Sequence, residues 1–429
     1  MFVLRGSSFY YMTPRFRGLD EVSATMSRKM IGMVVPIDYL SIQGGASQRI
    51  KADLAALVHS GYDVETIFPS AVSQPQHGAQ SAVTSATYLN IQQARFLPEK
   101  IRLLFDMFTQ MFNPFFRSSL QKRYQRYSVI LAYSFWSVVA SYKVVKQQIP
   151  LLYVAFDFEY GRIRQVTRNL LICSLIYYVE KYACQKATKI LCVSERDMKN
   201  IEKTYGVPKA KLSVLPNTVD VDFFAQTHEL YDKGSERQKF GLAANSLLLL
   251  FQGRMDYRPN LDALEFILDE LVPALSCPAR SMRIVVAGAR IPKRFLDSKN
   301  EIVSFYSDVP DMRRFLSIAD AVIVPLSIGG GTRLKILESF AARVPVISTA
   351  EGAEGIECDD SYHFLATHRS ATDFINKVME LAENETLRQK LISNAFNLVV
   401  QKYSIAVASR CLKEVIMQAE NQTKQTEDV

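Results

Sequence analysis

Cysteine, histidine and tryptophan are scarce in this 429-residue chain: six, five and one. The cysteines, at 173, 184, 192, 277, 358 and 411, show no C-x-x-C spacing. That argues against a disulfide framework or a thiolate zinc site and predicts buried free thiols in a reducing compartment. Five scattered histidines argue against a multi-histidine metal cluster. No apolar run reaches the roughly 18 residues of a membrane-spanning helix, and the first residues lack the apolar core of a secretory signal. The phosphate loop G-x-x-x-x-G-K-[ST] and the dinucleotide signature G-x-G-x-x-G are both missing. No nucleic-acid-binding module pattern is present, so nucleic acid is not an expected partner.

What is present is ordinary globular composition: 48% hydrophobic and 22% charged residues, enough for two or three domains at roughly 100–200 residues each. The net charge of +8 is unevenly placed. Between Ile91 and Pro150, nine Lys/Arg face only Glu99 and Asp106. With the interspersed Phe and Met of "FDMFTQMFNPFFRSSLQKRYQRYS", this segment reads either as a solvated helical face or as a contact for an anionic membrane. Residues 1–29 precede the first convincing strand and are expected to be poorly ordered or non-native, with Met26 or Met30 a candidate start. The polar end "AENQTKQTEDV" is expected to fray.

Strand-like and helix-like segments alternate throughout. "MIGMVVPI" is a continuous apolar run, as for a strand buried on both faces. A glycine loop "SIQGGASQR", a helix and the strand "YDVETIFP" follow. "PLLYVAFD", "ATKILCVS" and "KLSVLPN" continue the first series. "PNTVDVDFFAQTHELYDKGSERQKFG" is polar and poorly periodic, as a linker would be. A second series then runs through "SLLLLFQG", "MRIVVAGA", "EIVSFYSD", "AVIVPL" and "VPVIST". The expectation is α/β: two doubly wound Rossmann-like domains facing a cleft, the first over 30–220 and the second over 240–400, with a helix near 404–420 able to pack back on the first.

Ligands of such sheets bind beyond the carboxyl ends of the strands. Four ends in the second half carry suggestive residues: Gly253, Arg254 and Arg258 in "FQGRMDYRPN", Gly288 and Arg290 in "VVAGAR", the small and acidic residues of "FYSDVPD", and "PLSIGGGTRLKILE". In the last, Gly329–Gly331 permit close backbone approach to an anion, and Thr332 can cap the following helix. That helix start offers free N–H groups to a phosphate. Arg333 and Lys335 add positive charge. Glu338, on the same face as Lys335, would repel phosphate and so fits ribose hydroxyls better. The pattern suggests a nucleotide with its phosphates at the helix start and its sugar one turn deeper.

Taken in order, "GGASQR", "FDFEYGR", "VSERDMKNI", "VLPNTVDVDFF", "FQGRMDYRPNLDAL", "DVPDMRRFLSIADAVIVPL", "GGGTRLKILESFA" and "PVISTAEGAEGI" resemble a retaining glycosyltransferase of family 4, with the fold called GT-B. The resemblance runs from about Met33 to Val407. Its "GGTRLKILE" form is similar to the branch that makes bacterial surface polysaccharides and lipid-linked glycans.

The resemblance implies that Arg254 and Lys335 neutralise the diphosphate of a sugar-nucleotide donor in place of a metal ion, so no cofactor is expected. It implies that Glu338 binds the ribose, and that Gly330, Gly331 and Thr332 line the diphosphate and sugar. Asp308 and Val309 would meet the base, and Gly44 and Gly45 would close on the donor. Asp157 and Glu159 would lie near a glycan or lipid-linked acceptor. The implied location is cytoplasmic, peripheral at the inner membrane face. Four positions depart from the family: Gly330 where a glutamate is frequent, Phe156 where a histidine is, Arg343 where a glycine is, and no lysine soon after Arg254, for which Arg258 is the candidate stand-in. These departures leave two alternatives beside the transferase, a non-catalytic nucleotide-binding assembly protein and a sugar-nucleotide epimerase.

Overall fold

The computed structural model describes residues 28–36, 44–67, 109, 111–243, 246–275, 281–297, 300–328 and 332–427. Each half builds an open parallel sheet of six described strands. The first comprises β1 Met30–Val34, β2 Asp63–Ile67, β3 Tyr127–Tyr133, β4 Leu151–Val154, β5 Lys189–Cys192 and β6 Leu212–Val214, in the order β2-β1-β3-β4-β5-β6. The second comprises β7 Leu247–Arg254, β8 Met282–Ala289, β9 Val303–Ser307, β10 Ala321–Val324, β11 Val346–Ser348 and β12 Leu365–Ala366, in the order β12-β11-β10-β7-β8-β9. Runs such as "AVIV" in β10 are buried on both faces, which is why they read as uninterrupted apolar stretches. In each sheet the strand order reverses once, between β1 and β3 and between β7 and β10. Those two switch points place the loops after β1, β7 and β10 at the crevice.

Eight helices position the site: α1 Gly45–His59, α2 Phe135–Val145, α3 Glu159–Val166, α4 Leu170–Lys186, α5 Glu195–Tyr205, α6 Arg258–Phe266, α7 Leu334–Ala341 and α8 Ile405–Glu427. The chain's last helix, α8, lies on the first domain. Leu412, Val415, Ile416 and Ala419 join a core with Ile31, Ile50 and Leu57; each buried Leu or Ile there stabilises by roughly 1.5–3 kcal/mol over exposure. Ser409 Oγ donates to Ala56 O at 2.6 Å, and Lys29 pairs with Glu420 at 2.7 Å.

Arg49 ties α1 to the chain that leaves the first domain. Its guanidinium donates to Asp53 Oδ2 (2.7 Å), Asn217 Oδ1 (2.7 Å) and Leu215 O (2.8 Å). Arg49 and Asp53 are almost wholly buried, and burial, opposed by Arg49, pushes the Asp53 carboxyl up.

Several elements differ from the sequence reading. The central strand β3, "YSVILAY", falls inside the segment read only for its basic charge. The linker carries three short helices, Val221–Ala225, Thr227–Leu230 and Lys233–Lys239. Asp220 and Asp232 cap the first and third by accepting from Phe223 N and Ser235 N; such capping has no hydrophobic period to betray it. Helix α8 continues to Glu427, into the end expected to fray. Residues 1–27, 91–108 and Gly329–Gly331 lie outside the described residues. Of the cysteines, 173, 184, 192, 358 and 411 are free thiols, and Cys277 lies outside the described residues. Among the described residues, no helix is long and apolar enough to cross a membrane.

Candidate active site

At the second switch point, β7 ends in Gly253 and Arg254 beside the start of α7. Gly253 leaves room for what stands next to it: a Cβ there would lie 2.7 Å from Asn260 Nδ2 and 3.2 Å from Lys335 Nζ. Gly288, at the end of β8, is packed tighter still, with its would-be Cβ 1.9 Å from Gly253 O. No side chain fits at either position.

The Lys335 ammonium donates to Asn260 Oδ1 at 2.8 Å and stands 4.7 Å over the Phe251 ring. Burial, then the positive charge of Arg333, lowers it to about 7, against the favourable pull of Glu338. One turn further along α7, Glu338 accepts from Gln252 Nε2 at 2.9 Å and from Gln48 Nε2 at 2.8 Å. Burial raises its carboxyl to about 7. Gln48 belongs to α1, so this bond crosses between domains. Gly44, which precedes α1, also meets the second domain: a Cβ on it would lie 3.1 Å from Arg254 Nη1. A Cβ on Gly45 would lie 3.9 Å from Leu334 Cδ1.

Arg254 donates to Asp256 through Nε and Nη2 at 2.9 and 2.6 Å. Arg290 reaches the same carboxylate at 2.9 Å, and these hydrogen bonds, Arg254's first, hold Asp256 below the usual carboxylate range. Asp308 follows β9 with φ +54°, a left-handed conformation that Asp tolerates better than most residues. Val309 N donates to Gly288 O at 3.1 Å. Asp308 and Val309 thus sit at the ends of β8 and β9.

Across the cleft, Asp157 follows β4. Burial first, then Glu159 and Asp197, raises its carboxyl to about 7, opposed by Arg162 and by Arg333 of the second domain. Beneath it, the buried Glu180 carboxylate accepts from Tyr205 OH (2.6 Å), Tyr160 N (2.9 Å) and Glu159 N (3.3 Å). Glu159 itself is held by Arg162 Nε at 3.0 Å.

The structure therefore brings Arg254, Lys335, Glu338, Gly253, Gly44 and Gly45 together, with Arg333 and Asp157 close enough to act on one another's charge. Arg258 is not brought in. It opens α6, but its exposed side chain runs along the helix to Glu265 at 3.6 Å. Thr332 does not cap α7. The helix begins one residue later than its spacing suggested, Arg333 takes the capping position, and the threonine hydroxyl donates to Gly355 O at 3.3 Å. Gly330 and Gly331 lie outside the described residues. Sequence reasoning missed Gln48, Gln252 and Asn260. Gln252 carried a signal, being the polar residue in the buried run "LLLLFQG". Gln48 and Asn260 lay inside quoted motifs but titrate no charge, so they drew no attention.

The comparisons with known proteins follow this division. Residues 43–223 match the family described as "Glycosyltransferase Family 4", and residues 246–384 match "Glycosyl transferases group 1". Similar curated proteins include the UDP-Gal:alpha-D-GlcNAc-diphosphoundecaprenol alpha-1,3-galactosyltransferase of Escherichia coli, 24% identical over 52% of this chain and 61% of that protein. Another is the lipopolysaccharide 1,2-N-acetylglucosaminetransferase of Salmonella typhimurium, 29% identical over 46% of this chain and 54% of that one. The matches span only 54–61% of the lengths of the curated relatives. Among solved structures, sucrose-phosphate synthase of Thermosynechococcus elongatus superposes with a TM-score of 0.70 at 16% identity, over 91% of this chain and 99% of that one. Anabaena HepE in complex with UDP-glucose superposes at 0.63 with 13% identity, over 91% and 99%. With two doubly wound sheets, a shared crevice and family matches in both halves, the chain belongs to the family 4 glycosyltransferases of GT-B fold.

Proposed function

We propose that this protein transfers a sugar from a nucleoside-diphosphate donor to a glycan or lipid-linked acceptor. The transfer retains anomeric configuration, needs no metal ion, and serves surface-polysaccharide or glycoconjugate synthesis. The observation that carries the reading is the convergence, at one switch point, of two cations and a carboxylate one helical turn deeper. Arg254 and Lys335 stand where a diphosphate meets the start of α7, and Glu338 stands where the attached ribose follows. The names of the Escherichia coli and Salmonella relatives, a transferase to diphosphoundecaprenol-linked GlcNAc and a lipopolysaccharide transferase, support the acceptor class.

The chemistry follows from charge. As the bond from the anomeric carbon to the diphosphate breaks, its electron pair passes to the leaving oxygen. Arg254 and Lys335 stabilise that growing charge, an electrostatic contribution of roughly 10²–10³ in rate for a single group. The acceptor hydroxyl attacks from the same face, and the departing diphosphate takes its proton. Asp157 faces the acceptor side, and Arg333, at the start of α7 with the donor cations, acts on its charge across the cleft. Arrival of the anion raises the lysine above its unliganded value near 7, so binding takes up a proton above neutral pH.

We further propose a peripheral, cytoplasmic-face association with anionic membrane. Of the 91–150 segment, the described part exposes Phe112 and Phe115, with Lys143 and Arg117 over the Phe112 ring. Nearby α4, packed on α2, exposes Leu170, Leu171 and Tyr178. Aromatic and apolar side chains among cations suit the interfacial zone of a bilayer.

The test is a thermal-shift screen of UDP-, GDP- and ADP-sugars followed by turnover with the stabilising donor. Lys335→Ala and Arg254→Ala should each lower turnover by orders of magnitude, and normal turnover in both would sink the assignment. Epimerised free sugar nucleotide formed without acceptor would assign an epimerase instead, and binding without turnover an assembly protein.

A further inference from the structure

We infer that Asn260 is a positioning residue for the donor's diphosphate: it fixes the Lys335 ammonium without neutralising it and ties that ammonium to the main chain of Arg254. The inference rests on the donor-site reading above.

Asn260 lies in the first turn of α6 and is buried. Its two amide atoms face opposite demands. Oδ1 accepts from Lys335 Nζ at 2.8 Å, and Nδ2 donates to Arg254 O at 2.9 Å. An ammonium can only donate and a carbonyl can only accept, so the amide has one orientation. The Cβ-free Gly253 beside it admits this approach. One neutral side chain thus holds the Lys335 ammonium against the main chain of Arg254, the other residue that the donor reading assigns to the diphosphate.

The choice of a neutral acceptor matters because the two cations are treated differently. Arg254 is paired with the Asp256 carboxylate, which Arg290 also uses. Lys335 is held by an amide oxygen, which orients the charge and leaves it available to an incoming anion. The charged groups around Lys335 are Arg333, which opposes its protonation, and Glu338, which favours it; Arg254 and Asp256 stand at the end of β7. An aspartate at position 260 would keep the acceptor and cancel the charge, at the cost of the bond to Arg254 O, which a carboxylate cannot donate. An alanine would remove the only hydrogen-bond acceptor shown for the ammonium among the described residues.

The two substitutions should therefore move one observable in opposite directions. The measurement is calorimetric binding of UDP, GDP and ADP between pH 5.5 and 9, with wild type, Asn260→Ala, Asn260→Asp and Lys335→Met. In wild type, affinity for the best nucleotide falls as pH rises through the lysine's free-protein value. Asn260→Ala should shift that fall to lower pH. Asn260→Asp should shift it to higher pH, and each should weaken binding at pH 6 roughly 10- to 100-fold. A residue that merely supported the fold would not split the two shifts. Should Lys335→Met abolish binding while both Asn260 variants keep the wild-type profile, or shift it the same way, the inference fails and the donor site stands. Wild-type binding by Lys335→Met, or no binding of any of the three nucleotides to wild type, would overturn the donor site and the inference with it.

Discussion

Lys335→Met offers a test that needs no substrate. The folded protein holds this ammonium at about 7, against an ordinary value of 10.5, chiefly through burial. The unfolded chain therefore keeps its proton up to about 10.5 while the folded chain sheds it near 7. Between those limits the unfolded state binds more protons, so stability from this group rises with pH, and the full penalty applies below about 7. At about 1.4 kcal/mol per pH unit the ceiling is roughly 5 kcal/mol. Lys335 retains some exposure and shares its field with Glu338, so roughly half of that is the working figure. Removing the ammonium also leaves Asn260 Oδ1 without its donor, which costs about 1–3 kcal/mol. The two terms nearly cancel at pH 6, where the variant should be as stable as wild type or slightly more so.

The difference between pH values is cleaner than either value, because the Asn260 cost is the same at both. Glu338 adds to it with the same sign. Its carboxyl is raised to about 7 by burial, so its contribution to stability falls as pH rises from about 4.5 to 7; without Lys335 that loss extends to higher pH. Urea unfolding at pH 6, 7.5 and 9 should show wild type gaining about 2 kcal/mol on Lys335→Met across the range. A flat difference, or one that favours the variant as pH rises, would refute the assignment of Lys335 as a buried, charge-strained group.

Two further outcomes follow from the packing. Arg49→Met leaves Asp53 buried without its cation and frees Asn217 and Leu215 O at the domain crossover; it should destabilise the protein by about 3–5 kcal/mol in urea unfolding, and a loss below about 1 kcal/mol would show that the crossover is held elsewhere. Co-sedimentation with vesicles containing phosphatidylglycerol should weaken with added salt and with Leu170→Ser/Leu171→Ser, and indifference to lipid charge would remove α4 and the 91–150 segment from any membrane contact.

The sequence by itself determined the fold class. Buried parallel strands must be apolar on both faces, so "SLLLLFQG", "MRIVVAGA" and "AVIVPL" announce themselves. It also singled out the glycine and charges at the end of β7 and in α7, Gly253, Arg254, Lys335 and Glu338, which the structure brings to one crevice. It did not reveal β3, whose apolar run follows a basic, aromatic segment that drew the reading toward the surface, nor the capped helices between the domains. Only the tertiary structure decided which polar residues act together. Gln48 and Glu338 lie 290 positions apart and meet because two domains close on one another. Asn260 meets Lys335 because β7 and β10, far apart in the chain, are neighbours in the sheet. Arg258, close to Arg254 in sequence, lies on the exposed face of α6 with Glu265, while Asn260 two residues on faces the site. Short-range spacing constrains which chemistry is on offer; the switch point, a property of strand order, selects which residues share a site.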